Sequence, residues 1–437
     1  MPNSILILSP DVVTERMAGP AIRYWEFAKS LVTNFKVTLA IPNPISEVSS
    51  SVEPVCLVQH KHENIGKLIE EHDIIIFQGF IFDHYPLLSK TSKILVADLY
   101  DPVPLEGLEQ HNIDINSQIN MMNRQLKRAD YFLCASERQR NLWLGHLLAL
   151  GRINSFTYQQ IQQRIITIPF GLPDIKPYRT GVGFEHEDSF ILLWGGGIWE
   201  WFDPLTLIRA TNRLLPDYPN IKLIFLGTQH PNPTIPIMPK QIQAETLAKE
   251  LNLYNKEVIF QSGWVPYADL ANYLLDADVG VSAHFNTLET HFSFRTRILH
   301  YLWANKPIIT TSGDVLADNI VANNAGIVVE SEDEDGWVSA IKTMYESKHY
   351  TTYVNGTKIL AKKYQWSTVT QPLKNLCTNA SLAPDMTIEN NVRKSMVWDC
   401  ELEYNTLKNR LEIIENSNSW RITEPLRTMR NFMKKFN

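Results

Sequence analysis

Twelve short apolar, β-branched runs, separated by helix-length amphipathic stretches, constrain this chain more than any other feature. In the first half they are SILILS (4–9), KVTLAI (36–41), DIIIFQ (73–78), KILVAD (93–98), DYFLCA (130–135) and RIITIP (164–169). In the second half they are FILLWG (190–195), IKLIFLG (221–227), EVIFQ (257–261), DVGVS (278–282), PIITT (307–311) and GIVVE (326–330). Runs that are apolar throughout, rather than at alternate positions, suit strands buried on both faces. Parallel sheets covered by helices provide that burial. The segment GLPDIKPYRTGVG (171–183), rich in Pro and Gly, divides the runs into two sets and reads as a hinge. A chain of 437 residues is long enough for two such sheets. The expected class is therefore α/β. Two tandem doubly wound, Rossmann-like domains at 1–175 and 183–375 face each other across a cleft, and a helical, basic tail at 385–437 follows.

Composition narrows the function classes. Hydrophobic residues at 44% and charged residues at 20% suit a soluble globular protein. The opening MPNSILILSP reads as a strand rather than a signal peptide, and IIIFQGFIF (74–82) is too short to span a bilayer. Cys56, Cys134, Cys377 and Cys400 are scattered with no CxxC pair, as expected of reduced thiols in a cytoplasmic protein. His60, His62, His72 and His84 are equally dispersed, so neither a metal site nor a bound cofactor is expected. The net charge of −6 argues against nucleic-acid binding. From Trp420 to Asn437 five cations stand against Glu424, a net +4 that leaves −10 for the rest of the chain. That basic end, with Phe432, Met433 and Phe436, suits peripheral docking of 418–437 on an anionic membrane surface, with an ordinary solvated helix as the alternative. Just before it, Val397, Cys400, Tyr404, Leu407, Leu411 and Ile414 recur at spacings of three and four. They form a narrow seam suited to a homodimer through 397–414.

Ligands of doubly wound sheets sit at the carboxyl ends of the strands, and the unusual residues fall there. Gly195, Gly196 and Gly197 follow an apolar run and precede Trp199 and Trp201. Glycines there permit positive φ and bring amide N–H groups close to a phosphate; a tight turn beneath the tryptophans is the alternative. Asp203-Pro204 marks the start of the next helix. Gly19-Pro20 opens another helix, with Arg16 just before it and Arg23 just inside. Such arginines suit a phosphate or carboxylate ligand, or for Arg23 a surface pair with Glu15 or Glu26. Arg295 and Arg297, in a loop with Phe292 and Phe294, suit the growing charge of a departing diphosphate, or a structural ion-pair network. Glu289 and His300 suit sugar and ribose hydroxyls. Asp98 and Asp101, in ADLYDP, are placed to bind an acceptor hydroxyl or assist proton transfer, or simply to cap turns. Neither a GxSxG elbow nor a GxxxxGK[ST] loop occurs.

The order AGPAIR, FLCASERQR, PFGLP, GGGIWEWFDPLTLIRA and FSFRTRILHYLWANKPIITT resembles bacterial glycosyltransferases of the family-4 type with the GT-B fold, over roughly residues 1–375. The ending SNSWRITEPLR looks like endings of polysaccharide-assembly transferases. The resemblance implies a retaining, metal-independent transfer from a nucleotide sugar to a glycan or polyprenyl-linked acceptor, with the donor mainly on the second domain. It also implies two glutamates eight positions apart, where this chain has Phe292 and His300. Glu289 is the expected substitute for the first, and Gly19 matches the first-loop glycine. On this reading Gly195–Gly197, Trp199, Arg295, Arg297 and His300 hold the donor, with Gly19 and Arg16 opposite. The alternative is a catalytically degenerate module that binds nucleotide sugar or glycan, or regulates a partner transferase.

Overall fold

The computed structural model describes residues 2–48, 55–110, 114–184, 188–232, 235–346 and 350–387, with short pieces between 407 and 423. The chain divides into two units, Met1–Leu382 and Ala383–Asn437. The first unit holds two parallel sheets. Seven strands make the first: β1 (Ser4–Leu8), β2 (Lys36–Ile41), β3 (Cys56–Gln59), β4 (Ile74–Gln78), β5 (Ile94–Asp98), β6 (Tyr131–Cys134) and β7 (Ile165–Thr167), in the order β3-β2-β1-β4-β5-β6-β7. Six make the second: β8 (Phe190–Gly195), β9 (Ile221–Leu226), β10 (Val258–Gln261), β11 (Val279–Ser282), β12 (Ile308–Thr311) and β13 (Gly326–Val329), in the order β10-β9-β8-β11-β12-β13. Each of the twelve expected runs contains a strand. The thirteenth, β3, is an edge strand that pairs only with β2 and starts at the exposed Cys56.

The alternation within the central strands shows why they are apolar throughout. Ile5 and Ile7 of β1 enter one core cluster, while Leu6 and Leu8 enter another on the opposite face. In β8, Ile191 and Leu193 join the cluster that holds Ile5, and Leu192 and Trp194 join a third. One apolar core thus runs from the first sheet to the second.

The last part of the first unit returns to the first sheet's side. The backbone N–H of Leu172 donates to Tyr364 O at 2.7 Å, and that of Trp366 to Leu172 O at 2.9 Å. A Cβ at Gly171 would lie 2.4 Å from the Trp366 ring, so glycine is what lets the two segments cross. Arg164 then donates to the carbonyls of Ser381 and Leu382, both at 3.1 Å. The sequence boundary at 375 groups Trp366 onward with the second half, whereas these contacts are with the first. In the second unit residues 410–416 are helical, and Leu407, Leu411 and Ile414 of the expected seam are exposed. Val397, Cys400, Tyr404 and nearly all of 418–437 lie outside the described residues. Among the described residues no helix is long and apolar enough to cross a membrane.

Candidate functional site

Both sheets reverse strand order beside their first strand: β2 and β4 flank β1, and β9 and β11 flank β8. Loops leaving such neighbours diverge to opposite faces and open a crevice at the carboxyl edge. A cavity of about 710 Å³ lies there, and both halves wall it. Hydrogen bonds tie the walls together. Trp264 Nε1 donates to Met17 O at 3.0 Å, the Tyr267 N–H to Glu15 O at 2.8 Å, and Gln139 Nε2 to Phe292 O at 2.8 Å.

The three glycines line the cavity, and Gly196 has a φ of +103°, a conformation that side chains rarely adopt. Their amides are less available than the sequence suggests. The Gly195 N–H donates to Tyr301 Oη and the Gly196 N–H to Leu226 O, both at 2.8 Å. Of the three amides expected to be open to a ligand, only the Gly197 N–H is without a hydrogen-bond acceptor among the described residues. Trp199 and Trp201 line the cavity and stack at 5.4 Å with an interplanar angle of 5°. Asp203 caps the next helix by accepting from the Thr206 N–H at 3.1 Å, as its position before Pro204 implied.

The two arginines of the second wall differ. Arg295 makes a two-pronged pair with Glu289, Nη1 to Oε1 at 2.9 Å and Nη2 to Oε2 at 2.6 Å, and both residues are buried. Each neutralises the other, so Glu289 has both carboxylate oxygens engaged. Arg297 donates from Nη2 to Gly197 O at 2.7 Å, and its Nη1 is buried without a partner. Its guanidinium lies over the Phe202 and Trp194 rings at 4.0 and 4.3 Å. Among the described residues no carboxylate pairs with it. Burial pushes its pKa down to about 9, which still leaves it charged at neutral pH. One turn on, His300 lines the same cavity; burial, and then the Arg297 charge, lower its pKa to about 4, so it is a neutral imidazole.

On the first wall, the helix Gly19–Leu31 opens on the cavity with no side-chain cap at Ala18. A Cβ at Gly19 would lie 3.2 Å from Tyr100 Oη on the same wall and in ordinary contact, 3.9 Å, with Thr296 Oγ1 of the other. Arg16 is exposed and lies outside the cavity lining. Asp98 is also outside it, which removes it from the acceptor side. It accepts from Arg23 Nε at 2.7 Å and Nη2 at 3.0 Å, and both side chains are fully buried. Arg23 completes its bonding with Ile168 O and Pro169 O, at 3.0 and 3.1 Å, and neither Glu15 nor Glu26 is its partner. Asp101 does line the cavity and accepts from Gln78 Nε2 at 2.7 Å. Burial, aided by the Asp98 charge and opposed by the Gln78 hydrogen bond, raises its pKa to about 7. Glu106, in the helix Val103–Glu109, is raised well above the usual range by burial and then by Asp101.

The cavity thus gathers Gly19, Asp101, Gly195–Gly197, Trp199, Glu289, Arg295, Arg297 and His300, and leaves out Arg16 and Asp98. Gln78, Glu106, Thr296 and His230 line it too, although the sequence did not single them out. Gln78 and His230 lie at or just beyond the ends of the runs 73–78 and 221–227, but which side chains there face the cleft depends on the sheets' packing.

Residues 189–347 match the family model for Glycosyl transferases group 1. This segment holds the whole second sheet with its glycine loop and both arginines. Among solved structures, a crystal structure of Anabaena Alr3699/HepE in complex with UDP and glucose is similar, with a TM-score of 0.62, 14% identity, and 86% of this chain and 99% of that one covered. Sucrose-phosphate synthase from Thermosynechococcus elongatus aligns with a TM-score of 0.60 and 14% identity, over 86% of this chain and 98% of that one. WaaG, a glycosyltransferase involved in lipopolysaccharide biosynthesis, aligns with a TM-score of 0.59 and 13% identity, over 86% of this chain and 100% of that one. No curated protein matches the sequence. The fold is GT-B, and the family match over the second half supports a glycosyltransferase.

Proposed function

We propose that this chain transfers a hexosyl unit from a nucleotide sugar to a glycan or polyprenyl-linked acceptor, with retention and without a metal. The setting is cell-surface polysaccharide or glycolipid synthesis on the cytoplasmic side of the membrane. The observation that carries the reading is Arg297, a buried cation without a carboxylate, bonded to the glycine loop and lining the cavity between two carboxyl edges. A donor diphosphate supplies the missing anion. As the bond between the sugar's anomeric carbon and the phosphate oxygen breaks, negative charge grows on that oxygen, and a preorganised cation in a water-poor site favours the change. Retention follows when the acceptor hydroxyl attacks from the side of the departing phosphate, whose oxygen takes the proton. Gly197 N–H and the uncapped start of Gly19–Leu31 add donors, Trp199 walls the pocket, and His300 offers a neutral partner to a hydroxyl.

Thermal melting with UDP, GDP, dTDP and CMP and their sugar conjugates tests this. Uridine compounds come first, because the HepE structure holds UDP. A ligand at a hundred times its dissociation constant adds about 2.7 kcal/mol. No shift from any nucleotide sinks the reading. A second reading, a degenerate module that binds without turnover, draws on Arg295 being neutralised by Glu289 and on two glycine amides being engaged. A nucleotide shift without nucleotide release, in the presence of candidate acceptors, decides for it. The anionic-membrane and dimer roles of 418–437 and 397–414 are tested by vesicle co-sedimentation and by sedimentation velocity, with and without those residues.

A further inference from the structure

The cavity wall contributed by the first half carries carboxyl groups and no lysine or arginine among the described residues. Asp11, Asp101 and Glu106 line it beside His60 and His84; both of the cavity's arginines come from the other wall. Asp11 is engaged, accepting from the Val12 N–H at 2.8 Å and from Asn232 Nδ2 at 3.1 Å. His60 also lines this side, but its two ring nitrogens contact Tyr85 Oη at 2.6 Å and Ser9 O at 3.3 Å. Gln78 is different. It is 6% exposed and lines the cavity, its amide nitrogen donates to Asp101, and its Oε1 is buried with no partner. An orphaned carbonyl oxygen needs a hydrogen-bond donor, and an anion has none to give. Two residues on, Phe80 also lines the cavity and is half exposed.

We propose that Gln78, Asp101 and Glu106 form the acceptor subsite for a sugar end that donates hydrogen bonds and carries no negative charge. One hydroxyl or ammonium of that sugar donates to Gln78 Oε1 and a neighbouring one to the Asp101 carboxyl group, with the Phe80 ring beside the apolar C–H face. A phosphate or carboxylate on the reacting sugar is disfavoured, since it has no hydrogen to give Gln78 Oε1 and, once Asp101 ionises, meets a like charge. A lipid diphosphate, where the acceptor has one, then lies beyond this subsite. That the bound sugar is an acceptor rests on the transferase reading; the subsite's chemistry does not.

Saturation-transfer NMR on the full chain tests this with three probes at equal concentration: methyl β-D-glucopyranoside, its 2-amino analogue and the methyl glycoside of glucuronic acid. The neutral or the amino probe should bind at least about tenfold better than the uronide, and whichever leads identifies the donor as hydroxyl or ammonium. Gln78→Leu should weaken that probe about fivefold or more. Asp101→Asn should bring the uronide within about twofold of the neutral sugar. Circular dichroism melts confirm that both variants fold, and Asp101→Asn tests the charge even where Gln78→Leu fails to fold. Equal transfer to all probes, no transfer to any, or no change in either folded variant overturns the subsite. A nucleotide-induced melting shift measured alongside separates the two ideas. Its presence without sugar discrimination overturns the subsite alone, and sugar discrimination without it supports the subsite while sinking the transferase reading.

Discussion

Each wall of the cleft buries an arginine near the start of the helix that opens on it, and the two are treated in opposite ways. Arg23 lies in Gly19–Leu31 with Asp98 on two of its nitrogens, two backbone carbonyls, and the rings of Phe27 and Tyr100 at 4.5 and 4.9 Å. Arg297 lies in Thr296–Trp303 with comparable ring contacts, one carbonyl and, among the described residues, no carboxylate. A buried guanidinium with its charge matched fastens structure, here β5 to the helix and to the segment after β7. One left unmatched beside a cavity is costly unless an anion arrives, because burial penalises an isolated charge. The difference teaches which arginine to assign to a ligand, and residue type alone does not reveal it.

The largest effect should come from breaking the matched pair. Asp98→Asn leaves Arg23 buried beside a neutral amide and should cost about 3–5 kcal/mol of stability, read in urea melts. Replacing both partners with apolar residues, Arg23→Met with Asp98→Leu, should recover most of that loss. A double variant as unstable as the single one would mean that Arg23 is needed for more than its charge. Arg297→Met should behave the other way. Its melting temperature should hold or rise without ligand, while transfer falls by about 10²–10³, or about 2.7–4 kcal/mol of transition-state stabilisation. The nucleotide-induced melting shift should shrink with it. A variant that loses stability and keeps its transfer rate would erase the contrast between the two arginines.

The sheets were legible because twelve of their strands carry uninterrupted apolar runs, the mark of burial on both faces. β3 escaped because CLVQ is short, lies at an edge and is only partly buried. The glycine loop was legible as a loop, but the partners of its amides, Tyr301 and Leu226, come from distant positions and depend on how helix and strand dock. Arg23 did carry a usable signal. Ile22, Tyr24, Trp25 and Phe27 surround it, and a charge on a helix apolar on nearly all sides needs an internal partner. Asp98, closing a strand that is apolar throughout, was the available carboxylate. The Arg295–Glu289 pair had no such signal, since a six-residue separation across a helix end follows neither helical nor strand spacing.

The last effect concerns the first wall's own unmatched acid, and it follows from pH. The Asp101 carboxyl holds its proton up to about pH 7 in the folded protein, whereas an unfolded chain releases it near 4. Between those values the folded state binds more protons than the unfolded one, so stability falls as pH rises and levels off above 7. Asp101→Asn removes this contribution. Its stability relative to the parent should be greatest at pH 8, at most about 4 kcal/mol, and should vanish below about pH 4. Glu106, raised well above the usual range by burial and then by the Asp101 charge, interacts with it, so the transition should spread over more than one step. A nucleotide sugar on Arg297 leaves this profile in place, because its anion meets the other wall. A non-anionic sugar on Gln78 and Asp101 should shift it. If instead the nucleotide alone moves the pH midpoint, the two walls are one electrostatic site, and the unmatched acid and the unmatched arginine answer to the same ligand.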